Sequence, residues 1–364
     1  MPPATLFKYI ALRILFAISI LFIILASLVL LIDLIENMRF AGKIEDGNFG
    51  LALSLTLMRV PALSQALIPF VFLFGSIWVF NQLNRQSEIS VMRSAGLSVW
   101  RLLGPAALIA ALSGLLVITA IDPISANMLS YAEQVKSQKE GVENNLVRVL
   151  DDGIWLRQRS SDMQLIINAQ NFDEERAALE RVTVWHFSGE SVFLERIDAS
   201  EAFLSGRTIE LHDARLKSIA DQEERRSPIY AIPTALSPGD LRERVAPPET
   251  MSLWQLPRFI LLADAAGLPT VRYHIRFHDL CSTPLKLLAM VLIAAAFSLR
   301  PMRMGGAFPL LMFTIGAGFL LYILSELATA FGESGLAPVA LAAWTPAVVA
   351  TLAAVTALLH LEDG

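Results

Sequence analysis

The chain has 364 residues, of which 54% are hydrophobic and 17% are charged, and its formal net charge is −5. Its mean hydropathy is +0.54, and the apolar residues are concentrated in runs long enough to cross a bilayer. This composition excludes an ordinary soluble enzyme and indicates a polytopic membrane protein.

Long apolar runs predict the membrane spans. Five runs contain no Asp, Glu, Lys or Arg, and each covers about 30 Å as a helix. They are residues 14–32, 60–80, 102–121, 304–325 and 335–359. A sixth run, residues 280–299, is interrupted only by Lys286, whose long side chain can face protein or water. The sequence therefore predicts six transmembrane helices, the first retained rather than cleaved as a signal peptide.

The cations of the short loops predict the orientation of these spans. Seven lie before the first span, between the second and third spans, or between the fourth and fifth spans. They are Lys8, Arg13, Arg85, Arg93, Arg101, Arg300 and Arg303. The opposite short loops carry only Arg39 and Lys43. Because Lys and Arg accumulate in cytoplasmic loops, both termini are expected in the cytoplasm.

A polar stretch between the second and third spans has its own helix signals. Residues 85–98 read RQSEISVMRSAGLS. Asn84 or Ser87 is suited to cap the start of a helix, and Gly96 is suited to stop it about two turns later in a left-handed conformation. The stretch is predicted to form a short helix on the cytoplasmic side.

The side chains of this short helix are typical of a docking surface. Ile89 and Met92 fall three positions apart on one side, while Glu88 and Arg93 project as charged contacts. The alternative is a solvated turn helix that merely connects two spans. The pattern alone leaves both interpretations open.

Residues 122–275 have a different texture and are predicted to form an inserted external domain. They separate a first membrane half, residues 1–121, from a second, residues 276–364. The inserted segment holds 17 Lys and Arg against 24 Asp and Glu. This acidic balance argues against nucleic acid as a partner.

The middle of the inserted segment predicts short β-strands. Runs rich in Val, Ile, Phe and Trp are separated by turn signals, which favours an antiparallel sandwich or jelly roll. The runs are residues 153–157, 163–169, 182–187, 191–194 and 208–211. Alternation places Val182 and Val184, and likewise Ile209 and Leu211, on one face. That face is expected to form a core rather than a ligand site.

The sequence lacks the motifs of several enzyme classes. It contains no G-x-x-x-x-G-K-[ST] loop, so any ATP must be bound by another chain, and it contains neither H-E-x-x-H nor G-x-S-x-G. His274 and His278 lie four apart with Asp279 adjacent, but no third ligand is evident. Packing or local hydrogen bonding is favoured for these histidines, and no metal or cofactor is predicted for this chain.

Four cations near the membrane boundary are candidates for binding an anionic ligand. Arg59 and Lys286 lie inside or beside spans, where an uncompensated charge is costly. Arg39 and Lys43 follow the first span. The alternatives are snorkelling for Arg59 and Lys286, and a solvated loop for Arg39 and Lys43.

Four strings together carry a family resemblance. They are RVPALSQALIPF (residues 59–70), RQSEISVMRSAGLSVWRLL (85–103), MSLWQLPRFI (251–260) and AAWTP (342–346). In order and spacing the chain resembles, over nearly its whole length, the LptF/LptG permeases of the lipopolysaccharide export ABC transporter. SEISVMRSAGLS (87–98) and IDLIEN (32–37) look more like LptG than LptF.

The resemblance implies a six-span inner-membrane protein with an inserted periplasmic β-jelly-roll domain. It implies an LptF-like permease, an LptC-like bridge protein and two LptB-like ATPase subunits that use ATP and Mg²⁺. The implied substrate is lipopolysaccharide, held between the permeases by spans one and five, with Arg39 and Lys43 near its phosphates.

The resemblance also identifies residues 85–98 as a coupling helix. It implies that Glu88 and Arg93 are polar anchors in an ATPase groove and that Ile89 and Met92 are the apolar insert. Gly96 would then turn the chain into the third span.

Other functions remain as alternatives. They are the LptF-type subunit of the same transporter, an ABC permease of the lipoprotein-releasing or FtsX type, and a non-transporting membrane scaffold. A scaffold would need no coupling helix, and the other permeases usually have four spans.

Overall fold

The structure is a computed structural model that describes residues 4–44, 47–139, 146–150, 153–159, 163–173, 176, 178–188, 192–205, 208–218, 224–234, 247–299 and 307–363. The chain divides into two units. The first unit comprises Met1–Met128 and Ile275–Gly364, and the second comprises Leu129–His274. The first is helical, whereas the second is built mainly on a β-sheet.

The helices of the described residues follow the predicted apolar runs. They are α1 (Ala4–Ala41), α2 (Phe49–Gln65), α3 (Ile68–Arg85), α4 (Glu88–Ser94), α5 (Val99–Leu116), α6 (Asp122–Lys139), α7 (Leu256–Ala265), α8 (Val271–Ser298), α9 (Ala307–Glu333) and α10 (Val339–Asp363). Asn48 caps α2, because its Oδ1 accepts a hydrogen bond from the backbone N of Leu51 at 2.8 Å.

Five helical stretches in the described residues are long and apolar enough to cross a membrane, and the bent pair α2–α3 makes a sixth if it counts as one span. The two helices of this pair meet at 63°, although the sequence predicts one continuous span over residues 60–80. Pro69 explains the break, because proline lacks a backbone N–H and favours the first turn of a new helix. The prediction of a polytopic helical membrane protein is confirmed.

The third predicted span is longer than expected. A π-helical turn, Val117–Ile121, joins α5 to α6, so that Val99–Lys139 forms one stretch of 41 residues. At 1.5 Å per residue it is roughly 60 Å long, about twice the thickness of the hydrocarbon core. Its far half therefore has the length to extend beyond the membrane.

The helices of the first unit share a core of apolar side chains. Among its largest fully buried members are Phe80, Leu73 and Leu83 on α3 and Leu103 on α5. Lipid is as apolar as these side chains, so close packing rather than exclusion of water drives such helices together. Small residues at the contacts are therefore expected.

One such contact lies between α5 and α8 at Gly114. A Cβ atom at Gly114 would lie 2.4 Å from the Cα of Pro284. No real side chain fits there without moving backbone. Glycine therefore allows α5 and α8 to approach each other directly.

The second unit contains a seven-stranded antiparallel sheet whose strands follow one another in chain order. The strands are β1 (Leu146–Leu150), β2 (Gly153–Arg159), β3 (Met163–Asp173), β4 (Ala178–Ser188), β5 (Phe193–Ser205), β6 (Thr208–Ser218) and β7 (Arg225–Pro233). The predicted runs lie within β2, β3, β4 and β6, whereas the run 191–194 marks only the beginning of β5. Val182, Val184, Ile209 and Leu211 are all buried, which confirms the predicted core face.

The sheet curls around its own core. β2 and β7 are separated by four strands, yet Thr234, directly after β7, donates from Oγ1 to Oε1 of Gln158 on β2 at 2.7 Å. Both side chains are buried. The strand order is that of a meander, so an inserted antiparallel β domain is confirmed, while the jelly roll stays a prediction.

A polar cluster lies at one end of this curled sheet. Nδ1 of His186 lies 3.1 Å from Oε1 of Glu195, and the hydroxyl of Tyr230 donates to the same oxygen at 3.5 Å. Burial raises the pKa of Tyr230, and the neighbouring Glu195 raises it further. Tyr230 therefore stays protonated and acts as a donor.

A glycine in the left-handed conformation follows α7. Gly267 has a φ of +72°, and a Cβ there would lie 2.3 Å from the carbonyl oxygen of Phe172. The backbone N of Phe172 donates to the oxygen of Ala266 at 2.9 Å. The end of α7 is thereby held against β3.

The close approach of α5 and α8 gives a testable prediction. Gly114→Ala is expected to lower the stability of the purified protein by about 1–3 kcal/mol, because the added methyl overpacks a backbone contact. A thermal unfolding series in detergent measures this. The matched control is Gly316→Ala on α9, where no atom lies within 4 Å of the added Cβ. Equal midpoints for the two variants would contradict the packing argument.

Candidate functional site

The predicted docking stretch forms a short helix bounded by two left-handed residues. Ser87 precedes α4 with a φ of +58°, and Gly96 follows it with a φ of +78°. No atom lies within 4 Å of a Cβ built at Gly96, so its backbone conformation alone favours glycine. The predicted stop at Gly96 is confirmed.

The predicted side-chain cap of α4 is not formed. Ser87 occupies the cap position without a side-chain hydrogen bond to the helix. Asn84 instead donates from Nδ2 to the backbone oxygen of Ser298 at the end of α8, at 2.9 Å. The start of α4 is therefore set by tertiary contacts rather than by a local cap.

Glu88 binds α1 in this structure. The hydroxyl of Tyr9 lies 3.0 and 3.1 Å from the two carboxylate oxygens of Glu88, and Nη1 of Arg13 lies 3.3 Å from Oε1. The guanidinium of Arg13 also stacks over the ring of Tyr9, 4.5 Å from its centre. These contacts couple α4 to the first helix.

The apolar side of α4 faces the core of the chain. Ile89 is only 4% exposed, and Met92 packs against the same buried cluster. Ile89 is buried within the chain in this conformation, whereas Met92 is only partly buried, and their role as an insert into another protein stays a prediction. The spacing of these two residues identified a real apolar face but could not tell an inner face from an outer one.

The free side of α4 has a different composition. Val91 is 65% exposed, and Arg93 and Ser94 are also exposed. Among the residues that the structure describes, no acidic side chain forms an ion pair with Arg93. A cation beside an exposed valine is thus available for contact on this side.

A second polar cluster joins α1 to α2. Nη1 of Arg59 lies 3.0 Å from Oδ1 of Asp33. Asn37 donates from Nδ2 to Asp33 at 2.7 Å and to the hydroxyl of Thr56 at 2.9 Å. Asp33, Asn37 and Thr56 are at most 4% exposed. The cluster compensates a buried carboxylate with a cation and hydrogen bonds, as burial requires.

Arg59 and Lys286 thus have acidic partners within the chain. Arg59 pairs with Asp33, and the ammonium of Lys286 forms an ion pair with Asp279, two turns earlier on α8. Sequence reasoning treated both cations as candidates for an anionic ligand and missed their partners.

Arg39 and Lys43 lie at the same end of α1 as the Asp33 cluster. Arg39 is in the last turn of α1, and Lys43 follows the helix. Both side chains are exposed. Within the described ranges neither forms an ion pair, so these two cations are available to an anion.

The two histidines considered for a metal site have other neighbours. Trp344 donates from Nε1 to Nδ1 of His278 at 3.5 Å, and His274 lies 3.9 Å from Asp264. In the described part of the chain, no three His, Cys, Asp or Glu side chains are grouped to hold a metal.

Comparison with known proteins identifies relatives along nearly the full length. Residues 8–360 match a protein family described as lipopolysaccharide export system permease LptF/LptG. The chain is 23% identical over 333 residues to the lipopolysaccharide export system permease protein LptG of Haemophilus influenzae, covering 89% of each chain. It is 21% identical over 344 residues to the protein of the same name from Escherichia coli K12, covering 90% of each.

The pairing of Arg59 with Asp33 gives a second prediction. Asp33→Asn and Arg59→Gln should each lower stability by about 3–5 kcal/mol, because each leaves its partner buried and uncompensated. The double variant should lose less than the sum of the two. Thermal unfolding of all three variants measures this coupling. Arg39→Gln removes an exposed cation on α1, the helix of Asp33, and is the control; it should change the stability little. If the loss in the double variant equalled the sum of the two single losses, the ion pair would contribute nothing to stability.

Proposed function

Because the chain belongs to the LptF/LptG family of lipopolysaccharide export system permeases, we propose that it extracts lipopolysaccharide from the outer leaflet of the inner membrane. It passes the lipid to a periplasmic bridge, driven by a separate ATPase. The observation that carries the proposal is the family match over residues 8–360, on a chain whose described helices are long and apolar enough to span a membrane.

The chain works as one subunit of a complex. It pairs with an LptF-like permease, two LptB-like subunits bind ATP and Mg²⁺, and an LptC-like protein forms the bridge. The lack of a phosphate-binding loop in the sequence supports a separate ATPase. The names of the relatives and the string at residues 87–98 support the LptG role rather than the LptF role.

The topology follows from the loop charges. The chain crosses the membrane six times when the bent pair α2–α3 counts as one span, with both termini in the cytoplasm. Residues 129–274 then form the periplasmic domain. The hydrogen bond from Thr234 to Gln158 supports a sheet that curls around its own core, and the assignment of this domain as the jelly roll of the family rests on the family match.

α4 is the contact with the ATPase. Its free side presents Arg93 and Val91, while its inner side packs on the core through Ile89 and binds α1 through Glu88. Because α4 is bound to the chain on one side and exposed on the other, a movement of the ATPase displaces the spans through α4. This requires that the ATPase contacts α4 differently in its two states.

The substrate meets the outer end of α1. Arg39 and Lys43 bind the phosphates, because charge-assisted hydrogen bonds are the strongest contacts available to such groups. The acyl chains lie along spans one and five, where Phe16 and Ile23 on α1 and Phe313 on α9 are exposed. Arg59 and Lys286 do not contact the substrate, because each is already paired with a carboxylate.

The contact with the ATPase is tested by charge reversal on the free side of α4. Arg93→Glu should lower the amount of ATPase that co-purifies with the complex by about half, because the second permease retains its own copy. Quantitative gel densitometry of the purified complex measures the ratio. Lys217→Glu reverses an exposed charge on β6 and is the control. An unchanged ratio for Arg93→Glu would remove α4 from the interface.

The substrate assignment is tested by cross-linking in the complete complex. A photo-reactive residue at position 23 should capture lipopolysaccharide. Neutralising Arg39 and Lys43 together as Gln should reduce capture about tenfold or more, because each charged hydrogen bond contributes roughly 1.5–3 kcal/mol.

The control for this experiment keeps both charges, with Arg39→Lys and Lys43→Arg combined, and should retain capture. Capture of phospholipid or lipoprotein in place of lipopolysaccharide would overturn the proposed substrate. Equal capture by the neutral and the charge-preserving variants would overturn the role of the two cations.

A further inference from the structure

Two helices carry the chain between its two units. The chain leaves the first unit after Met128, within α6, and returns at Ile275, within α8. Any movement that passes through the covalent chain from one unit to the other must pass through these two helices. The contacts between α6 and α8 therefore affect how movement passes from one unit to the other.

An ion pair joins the two helices inside the first unit. Nη2 of Arg276 on α8 lies 3.0 Å from Oδ1 of Asp122 at the start of α6. Asp122 is 1% exposed and Arg276 is 23% exposed at its side chain. Asp122 directly follows the uncharged run 102–121, so the pair lies at the end of the membrane span. A carboxylate buried there requires the compensation that Arg276 supplies.

A second contact, between α8 and the helix α5 that continues into α6, lies eight residues further into the membrane. Gly114 lies eight residues before Asp122, and Pro284 lies eight residues after Arg276. A Cβ at Gly114 would lie 2.4 Å from the Cα of Pro284. The two contacts are therefore in register on antiparallel helices, about 12 Å apart along the axis.

The helix between the two contacts is irregular on one side only. Val117–Ile121 forms a π-helical turn that separates Gly114 from Asp122. Such turns insert an extra residue into an α-helix and are frequent at functional sites. The irregular turn thus lies between two contacts with α8.

We propose that Asp122 and Arg276 are positioning residues that clamp α6 to α8 so that both connections to the inserted unit move together. The clamp continues the path from α4, because α4 leads directly into α5 and α5 continues through the π-helical turn into α6. Movement imposed on α4 then reaches the inserted domain as a displacement of two joined helices rather than of one. This rests on the proposed function, since it makes the clamp part of lipopolysaccharide export.

The clamp is tested in the complete complex reconstituted in proteoliposomes. Asp122→Asn and Arg276→Gln each remove the ion pair. Each should leave ATP hydrolysis near the wild-type rate while lipopolysaccharide delivered per ATP falls about tenfold, within the usual range of coupling between sites. Exchanging the two residues, Asp122→Arg with Arg276→Asp, should restore a substantial part of the delivery. An exposed pair, Asp173 and Arg176, is the control, and Arg176→Gln should change neither quantity.

A second measurement does not depend on the substrate. Spin labels at Lys217→Cys on β6 and His360→Cys on α10, in a Cys281→Ser background, report the distance between the units with and without nucleotide. The nucleotide-dependent change should be lost in Asp122→Asn and Arg276→Gln and should return in the exchanged variant.

The outcomes separate the clamp from the proposed function. If the wild-type complex delivers no lipopolysaccharide but the labels move and lose that movement in the variants, the proposed function fails and the clamp stands. If the labels move equally in wild type and variants, the clamp is overturned. A parallel fall of hydrolysis and delivery in both single variants would also overturn it, because it would show a loss of assembly.

Discussion

The compensation of buried charges within the helical first unit is the constraint on which the rest of the structure depends. An ionised side chain in or beside a span is costly unless an opposite charge and hydrogen bonds meet it. Four ion pairs lie in the described residues of the first unit: Glu88 with Arg13, Asp33 with Arg59, Asp122 with Arg276, and Asp279 with Lys286. Three of them join different helices and so fix which helices lie together.

The same constraint divides the cations by whether they are available to bind a further anion. A paired cation must break an existing contact before it binds a new anion, whereas an exposed one without an ion partner need not. Arg59 and Lys286 belong to the first class, and Arg39, Lys43 and Arg93 belong to the second within the described ranges. Function is therefore better sought at the Arg39 end of α1 and on the free side of α4 than at the charges buried in the spans.

Local signals in the sequence predicted much of the fold, and non-local contacts account for what it missed. Hydropathy located the spans, and the glycine at position 96 marked a helix end, because those properties act within a few residues. The partner of Arg59 lies 26 residues away on another helix, and no periodicity encodes that. The spacing of Ile89 and Met92 predicted an apolar face of the helix. It did not predict whether that face packs on the core or is exposed for docking, since both kinds of face have the same pattern.

One helix links the two ends of the candidate site. Near its start, Tyr9 and Arg13 hold Glu88 of α4, and in its last turn Arg39 is exposed. With 38 residues, α1 is about 57 Å long, enough to cross the bilayer with a turn or more to spare at each end. A displacement of α4 therefore acts on the helix whose last turn carries the exposed Arg39. The Asp33 cluster makes α2 move together with α1, because separating Asp33 from Arg59 would leave a buried charge uncompensated.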